Sequence, residues 1–225
     1  MPIIELSTAL VAAGSGLVVP FANKVLEKSA QRLGGHIDEQ LAALFTRAHG
    51  YLTATGREAQ SVEPHLLKPI VENAPLETDP ALAAHWAALL ANAADPARQS
   101  YVQPAFAEIL RQLTALDARI LQTIATISQG QEAGTRPYMY AEATRIQREA
   151  GEGDGLLTIA FRIAVDNLLR LRLCDGRGTT RPPGKLSELI SGRHSDTLAE
   201  GPGKDRLAIT DLGLAFLDAV TPPTS

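Results

Sequence analysis

A chain of 225 residues fits one large domain or two small ones, and either can bury a sizeable core. Its formal charge of −4 removes any global steering toward nucleic acid or anionic lipid, so only local basic patches remain to be considered. Cys174 is the single cysteine, which excludes an internal disulfide and a thiolate zinc cluster and points to a reducing, cytoplasmic setting.

Aromatic residues make up only 4% of the chain, so Ala, Leu, Ile and Val must fill the core, and an Ala-rich core favours closely packed helices. Residues 6–22 read LSTALVAAGSGLVVPFA, with no charged side chain. Glu5 stands where a signal peptide carries basic residues. The stretch is shorter than a spanning helix and is interrupted by Gly14, Ser15, Gly16 and Pro20. It predicts a buried or partner-packed helix, with peripheral membrane contact as the alternative. Val18, Phe21, Ala22, Val25, Leu26 and Leu33 then follow helical spacing up to a stop at Gly34-Gly35. Ile37, Leu41, Leu44, Phe45, Ala48 and Leu52 form a second helical stripe, with Asp38, Glu39 and Arg47 off it. A polar loop holding Gly56 and Pro64 comes next. Leu66, Leu67, Ile70 and Val71 predict a short helix, kinked or broken at Pro69 and closed by Pro75.

Asp79 as N-cap and Pro80 at the first helical position open the next helix. Leu82, Trp86, Leu89, Leu90 and Ala93 give it the buried stripe of an amphipathic helix, with Trp86 as core anchor beside Leu82, Leu89 and Leu90. His85 and Asn92 lie seven apart on one flank. They are expected to cap or bridge neighbouring helices, because buried polar groups are normally hydrogen-bonded. Asp95-Pro96 stops the helix. A helix restarts at Pro104 with Phe106, Ile109, Leu110 and Leu113 inward, and another follows with Leu116, Ile120, Leu121, Ile124 and Ile127. Thr114 and Asp117 have capping-box spacing at its start.

Beyond Gly130, a helix from about residue 138 to Ala150 leads through the turn GEGDG into a longer helix from about residue 156 to residue 171. Leu157, Ala160, Phe161, Ala164, Leu168 and Leu171 share one face of it. LRLCDGRGTT predicts a strand and turn, with Cys174 a small buried side chain. RPPGKLSELISGRHSDTLAEGPGKD predicts a loop with one helical turn at residues 186–190. RLAITDLGLAFLDAV predicts a strand, a turn and a closing helix. The expected fold is therefore mainly α: a helical bundle over residues 1–113, a winged helix-turn-helix-like domain with a short β wing over 114–220, and a disordered tail at 221–225.

No catalytic constellation stands out. His36, His49, His65, His85 and His194 show no metal-ligand spacing and no H-E-x-x-H, so neither a metal, a cofactor nor an enzymatic activity is expected. Gly184-Lys185 and Gly203-Lys204 lack the spacing and the Ser or Thr of a phosphate-binding loop. Ser191, His194 and Asp196 are neighbours in sequence, whereas a triad needs spatial placement and an oxyanion hole. For nucleic acid, the long helix offers Thr158, Arg162, Asp166 and Arg170 outward, and Asp166 repels phosphate. From residue 114 to the end, 13 Lys and Arg meet 14 Asp and Glu, a balance of −1 that disfavours DNA. A local DNA-contacting patch would consist of Arg145, Arg148, Arg177, Arg181 and Lys185. Contact with a protein partner, or self-association, is the favoured use of this half.

One resemblance narrows the cellular role. EPHLLKPIVENAPLETDPALAAHWAALLANAADP and YVQPAFAEILRQLTALDARIL carry the pattern W-x-x-L-L-A-N-A-x-D-P, then V-x-P-x-F-x-E-I-L and L-x-x-L-D-A-x-I-L. This region, about a quarter of the chain, resembles the Abi-alpha (abortive infection alpha) family, a domain of unknown function in bacterial phage-defence proteins. The resemblance implies a part in abortive infection and carries no catalytic residue across.

Overall fold

A computed structural model describes residues 19–26, 39–129, 140–177 and 206–224. The expectations for residues 6–18, the Gly34-Gly35 stop and the loop over 178–205, with its Gly-Lys pairs and Ser191, His194 and Asp196, lie outside the described residues. Among the described residues the chain is mainly helical, with a three-stranded antiparallel sheet. It divides into two compact units. One comprises the described residues up to Ala115 together with those from Ala215 onward, and the other comprises Leu116–Leu214.

The first unit holds α1 (Val19–Leu26), α2 (Glu39–Thr55), α3 (Pro64–Asn73), α4 (Pro80–Ala94) and α5 (Pro104–Leu110). Asp79 caps α4 as expected, its Oδ1 accepting from the amides of Ala81 at 2.9 Å and Leu82 at 3.1 Å. The expected stripe of Leu82, Trp86, Leu89, Leu90 and Ala93 is buried, but α4 is not amphipathic: every residue from Trp86 to Asp95 is buried. Ala87, Ala88, Ala91, Ala93 and Ala94 make this possible, since a methyl group lets neighbouring helices approach from all sides. Helices α2, α3 and α5 pack on α4. Phe21 of α1 meets Phe45 of α2 edge-on, with ring centroids 6.2 Å apart.

Helix α3 runs through Pro69 unbroken, which removes the break that the sequence allowed there. The lost amide bond would have gone to the carbonyl of His65, an exposed residue whose backbone water can serve. A short 3-10 turn, Ala74–Leu76, follows at Pro75.

The second unit holds α6 (Ala115–Gln129), β1 (Ala141–Glu142), α7 (Ala143–Glu149), α8 (Ile159–Arg170), β2 (Cys174–Arg177) and β3 (Arg206–Ile209). The sheet order is β1-β3-β2, with Ala141 opposite Leu207 and Cys174 opposite Ile209. The helix expected from about residue 138 begins only at Ala143, because Ala141 and Glu142 are engaged in pairing with β3. At its other end Gly151 takes φ +79° and the amide of Glu152 bonds the carbonyl of Gln147, a left-handed helix stop that favours glycine. Helix α8 also starts later than expected, at Ile159, with Thr158 as N-cap accepting from Phe161 at 3.1 Å. Leu171 falls just after its end, and Ala160, expected inward, is exposed.

The closing helix α9 (Asp211–Val220) lies in both units, changing over between Leu214 and Ala215. Its last residues are not a free tail. Thr221 donates to the carbonyl of Leu217 at 2.7 Å, Pro223 is buried, and the Thr224 carbonyl accepts from Arg57 at 3.4 Å. No helix of the described residues is long and apolar enough to cross a membrane.

Among the described glycines Gly213 has the least room: a Cβ there would collide with the carbonyl oxygen of Leu173 and lie 2.8 Å from Ile209 Cγ1. Gly213→Ala must push α9 off the strand pair, and is expected to destabilise the protein by about 3 kcal/mol, at the upper end of typical overpacking costs. Denaturant unfolding of the two proteins checks this; equal midpoints would contradict it.

Candidate functional site

Three places combine unusual chemistry with a built geometry. The first lies at the C-terminal end of α4. Asn92 is 0% exposed, and its Nδ2 donates to the carbonyls of Ala219 at 2.7 Å and Thr221 at 2.8 Å. His85, two turns earlier, places Nδ1 2.9 Å from the carbonyl of Val220; a carbonyl only accepts, so Nδ1 carries the proton. The two side chains thus bridge α4 to the end of α9, satisfying carbonyls that a helix terminus leaves without intrahelical partners. Around them Arg98 holds Asp218, through its carboxylate at 2.6 Å and its carbonyl at 3.0 Å. Buried Asp95 takes an ion pair from Arg57 and the amide of Ala97. The Asn92 and Arg98 donors named here hold chain to chain, while among the described residues Asn92 Oδ1 and Arg98 Nε are buried without a hydrogen-bond partner.

The second place is the patch expected to meet nucleic acid. Arg145 is paired with Glu149 at 2.7 Å, and Arg148 lies 3.9 Å from Asp154. Arg177 sits over the ring of Tyr140, 4.4 Å from its centroid, while the Tyr140 hydroxyl donates to Asp175 at 2.7 Å. The Asp175 hydrogen bond raises the Tyr140 phenol above its ordinary value. Arg206 on β3 stands directly opposite Arg177 on β2 and Glu142 on β1. Arg181 and Lys185 lie outside the described residues. Acids and an aromatic ring therefore already engage the three described arginines of the patch.

The third place was not visible as a site in the sequence. Leu156 is 91% exposed, Ile159 76% and Ile163 65%. The spacing of four puts Ile159 and Ile163 on one side of α8, and Leu156 stands in the turn before it. The display is held in order from below. Buried Gln147 donates to the carbonyls of Gly153 and Leu156 and accepts from the amide of Thr158 at 2.8 Å. The signal was present as Leu-x-x-Ile-x-x-x-Ile, set off from the buried stripe of Phe161, Ala164, Val165 and Leu168.

Cys174, at the start of β2, is buried. Burial first, and the Asp175 charge second, push its thiol up to about 12. Among the described residues no group of three His, Cys, Asp or Glu side chains is placed to hold a metal ion.

The abortive infection alpha family model matches residues 37–220. The chain belongs to this family. No curated protein and no solved structure gives a significant match. Membership associates the chain with abortive infection, the phage-defence response for which the family is named.

Three measurements test these placements. Asn92→Ala leaves two helix-end carbonyls without their donor and is expected to cost about 3 kcal/mol in denaturant unfolding. Asn92→Asp should cost more, because a carboxylate has no donor to offer them. The Cys174 thiol is expected to resist alkylation at pH 8 in the native protein and react on unfolding. Its ionisation also has a sign. The unfolded thiol titrates near 9.0 and the folded one near 12, so its contribution to stability is present below pH 9.0 and is lost as pH rises toward 12. Cys174→Ala should flatten that alkaline decline in a series of unfolding curves.

Proposed function

We propose that this abortive-infection protein is a bacterial, cytoplasmic, non-enzymatic component that works by protein contact, with the exposed face of α8 as its contact surface. The carrying observation is the ordered apolar strip of Leu156, Ile159 and Ile163. Single exposed apolar residues are ordinary, but several on one face, anchored by a buried amide, suit a protein partner. The order α6, β1, α7, α8, β2, β3 supports reading this half as a winged helix-turn-helix, in which α8 has the position of the recognition helix. A base-reading helix needs polar and cationic side chains at its exposed start. Here three large aliphatic side chains take that place. The non-enzymatic reading is supported by the buried polar residues: Asn92, Asp95 and Gln147 bind backbone, and Asp117 accepts from Asn167 at 3.0 Å.

DNA binding is the second reading, favoured by the same element order. The two separate in one experiment. Cells expressing the wild-type chain should restrict plaquing of at least one phage in a broad panel. Ile159→Asp with Ile163→Asp should abolish that protection, while Arg145→Glu with Arg148→Glu should leave it. Loss of protection in the arginine variant, together with DNA retardation at low salt where phosphate contacts are strongest, would reverse the choice.

A further inference from the structure

We propose that Asp154 is a spontaneous modification site, at which the folded protein converts aspartate to isoaspartate, and that the reaction releases the hold of Gln147 on the turn before α8. The inference is independent of what α8 contacts. Aspartate followed by glycine occurs twice in the chain, at Asp154-Gly155 and Asp175-Gly176. This dipeptide is reactive because the attacking nitrogen belongs to the residue after the aspartate, and glycine has no side chain to shield it. The Gly155 amide nitrogen bonds to Cγ of the protonated Asp154 carboxyl. The amide hydrogen and the carboxyl hydroxyl leave as one water, closing a five-membered succinimide. A water then opens the ring. Addition at Cγ restores aspartate. Addition at the main-chain carbonyl carbon breaks the original peptide bond, so the chain continues through the side chain and a free α-carboxylate remains. Water is the only co-reactant, and nothing is oxidised or reduced.

Ring closure requires the peptide plane between the two residues to turn, so that the face of the nitrogen and not its N–H edge meets Cγ. At Asp154 the plane is free to do so. The Asp154 side chain is 80% exposed, and its pairing with Arg148 at 3.9 Å is a screened surface contact. Gly155 takes φ +103°, with no atom within 4 Å of the place a Cβ would occupy, and glycine populates both signs of φ. Among the described residues no hydrogen bond engages the Gly155 amide. Turning one peptide plane changes ψ before it and φ after it in opposite senses and leaves the flanking chain in place. Gln147 can therefore keep the carbonyls of Gly153 at 3.3 Å and Leu156 at 3.2 Å while the plane between them turns.

Asp175-Gly176 has no such freedom. Asp175 pairs with Ala208 and Gly176 with Leu207 in the β2–β3 ladder. Asp175 Oδ1 accepts from the Gly176 amide at 2.9 Å and Oδ2 from the Tyr140 hydroxyl at 2.7 Å. The amide thus meets its carboxylate edge-on as a donor, the orientation from which its nitrogen cannot attack. The same dipeptide is therefore open in one place and locked in the other. Conversion at Asp154 inserts one methylene into the main chain between Gly153 and Leu156. Gln147 spans both of those carbonyls and the Thr158 amide with a single side chain, so the longer chain pulls this three-point hold apart. Leu156 then loses its fixed presentation as the protein ages.

Ageing of the purified full chain at neutral pH, native and in urea, followed by tryptic peptide mapping, tests this. Cleavage after Arg148 and Arg162 isolates Asp154 in one peptide, and cleavage after Arg172 and Arg177 isolates Asp175 in another. Isoaspartate is read as a shifted elution at unchanged mass, resistant to an aspartate-specific endoprotease. In the native protein it should accumulate several-fold faster at Asp154 than at Asp175, and in urea the two rates should converge. In the native protein carrying isoaspartate at position 154, the Thr158 amide should exchange its hydrogen faster than in the unmodified protein. No isoaspartate at Asp154, equal native rates at the two sites, or a native rate at Asp154 far below its rate in urea each overturns the proposal. Selective conversion with unchanged exchange at Thr158 overturns the release of the Gln147 hold and leaves the modification site standing.

Discussion

The two hydrogen bonds from the Asn92 amide to the carbonyls of Ala219 and Thr221 are the constraint on which the first unit rests. Helix α4 is buried from Trp86 to Asp95, so any polar atom on it must find its partner inside the protein. The end of α9 has the opposite need, carbonyls whose intrahelical donors have run out. The amide nitrogen of Asn92 and those carbonyls satisfy one another. The orientation of the amide is fixed by the same contact, since reversing it would set Oδ1 against two carbonyl oxygens. His85 repeats the solution one residue along, at Val220. These contacts join α4 to residues 219–221, more than a hundred positions later in the sequence.

The second unit uses a buried amide in another way. Gln147 does not cap a helix end but fixes the turn over residues 153–158, and the consequence is outward. Thr158 can then cap α8, and α8 starts at Ile159 with its first exposed residues apolar. On the opposite side α8 ends in a left-handed stop carried by Arg172 at φ 61°, where the amides of Arg172 and Leu173 bond the carbonyls of Leu169 and Leu168. Leu173 then passes Gly213 at a distance that excludes a Cβ. Turn, helix and strand are thus fixed in sequence by backbone bonds, and the ordered strip is their outer surface.

Much of this was legible because it rests on local rules. Asp79-Pro80 opens α4 and Asp95-Pro96 closes it, since cap geometry and the restriction before proline act within a few residues. The family pattern around Trp86 was legible too, and the family model spans it, matching residues 37–220. Two helix starts were misplaced for a tertiary reason: β3 claims Ala141 and Glu142, and Gln147 claims the backbone ahead of Ile159, neither visible in periodicity. Pro69 misled in the other direction, because its cost depends on whether the abandoned carbonyl faces water. The partners of Asn92 were out of reach altogether. The sequence shows a polar residue on an apolar helix, and the carbonyls that explain it lie more than a hundred residues away.

The apolar strip shows why a face must be weighed against its supports. Periodicity divides α8 into a buried stripe and a remainder, and the remainder reads as polar because Arg162, Asp166 and Arg170 dominate it. Only the exposure of Leu156, Ile159 and Ile163 changes its meaning. Leaving a large aliphatic side chain in water forgoes about 1.5–3 kcal/mol of burial. A fold that also commits a buried glutamine to holding those side chains in order gains nothing from them in isolation. Arg145, Arg148 and Arg177 of the same half are arranged the other way, each set against an acid or a ring. Cations that bind phosphate gain most when water and counterions are their only competitors, and here internal partners compete first. Apolar groups have no internal competitor of that kind, so the physical asymmetry between the two surfaces favours a partner that buries carbon over one that neutralises charge.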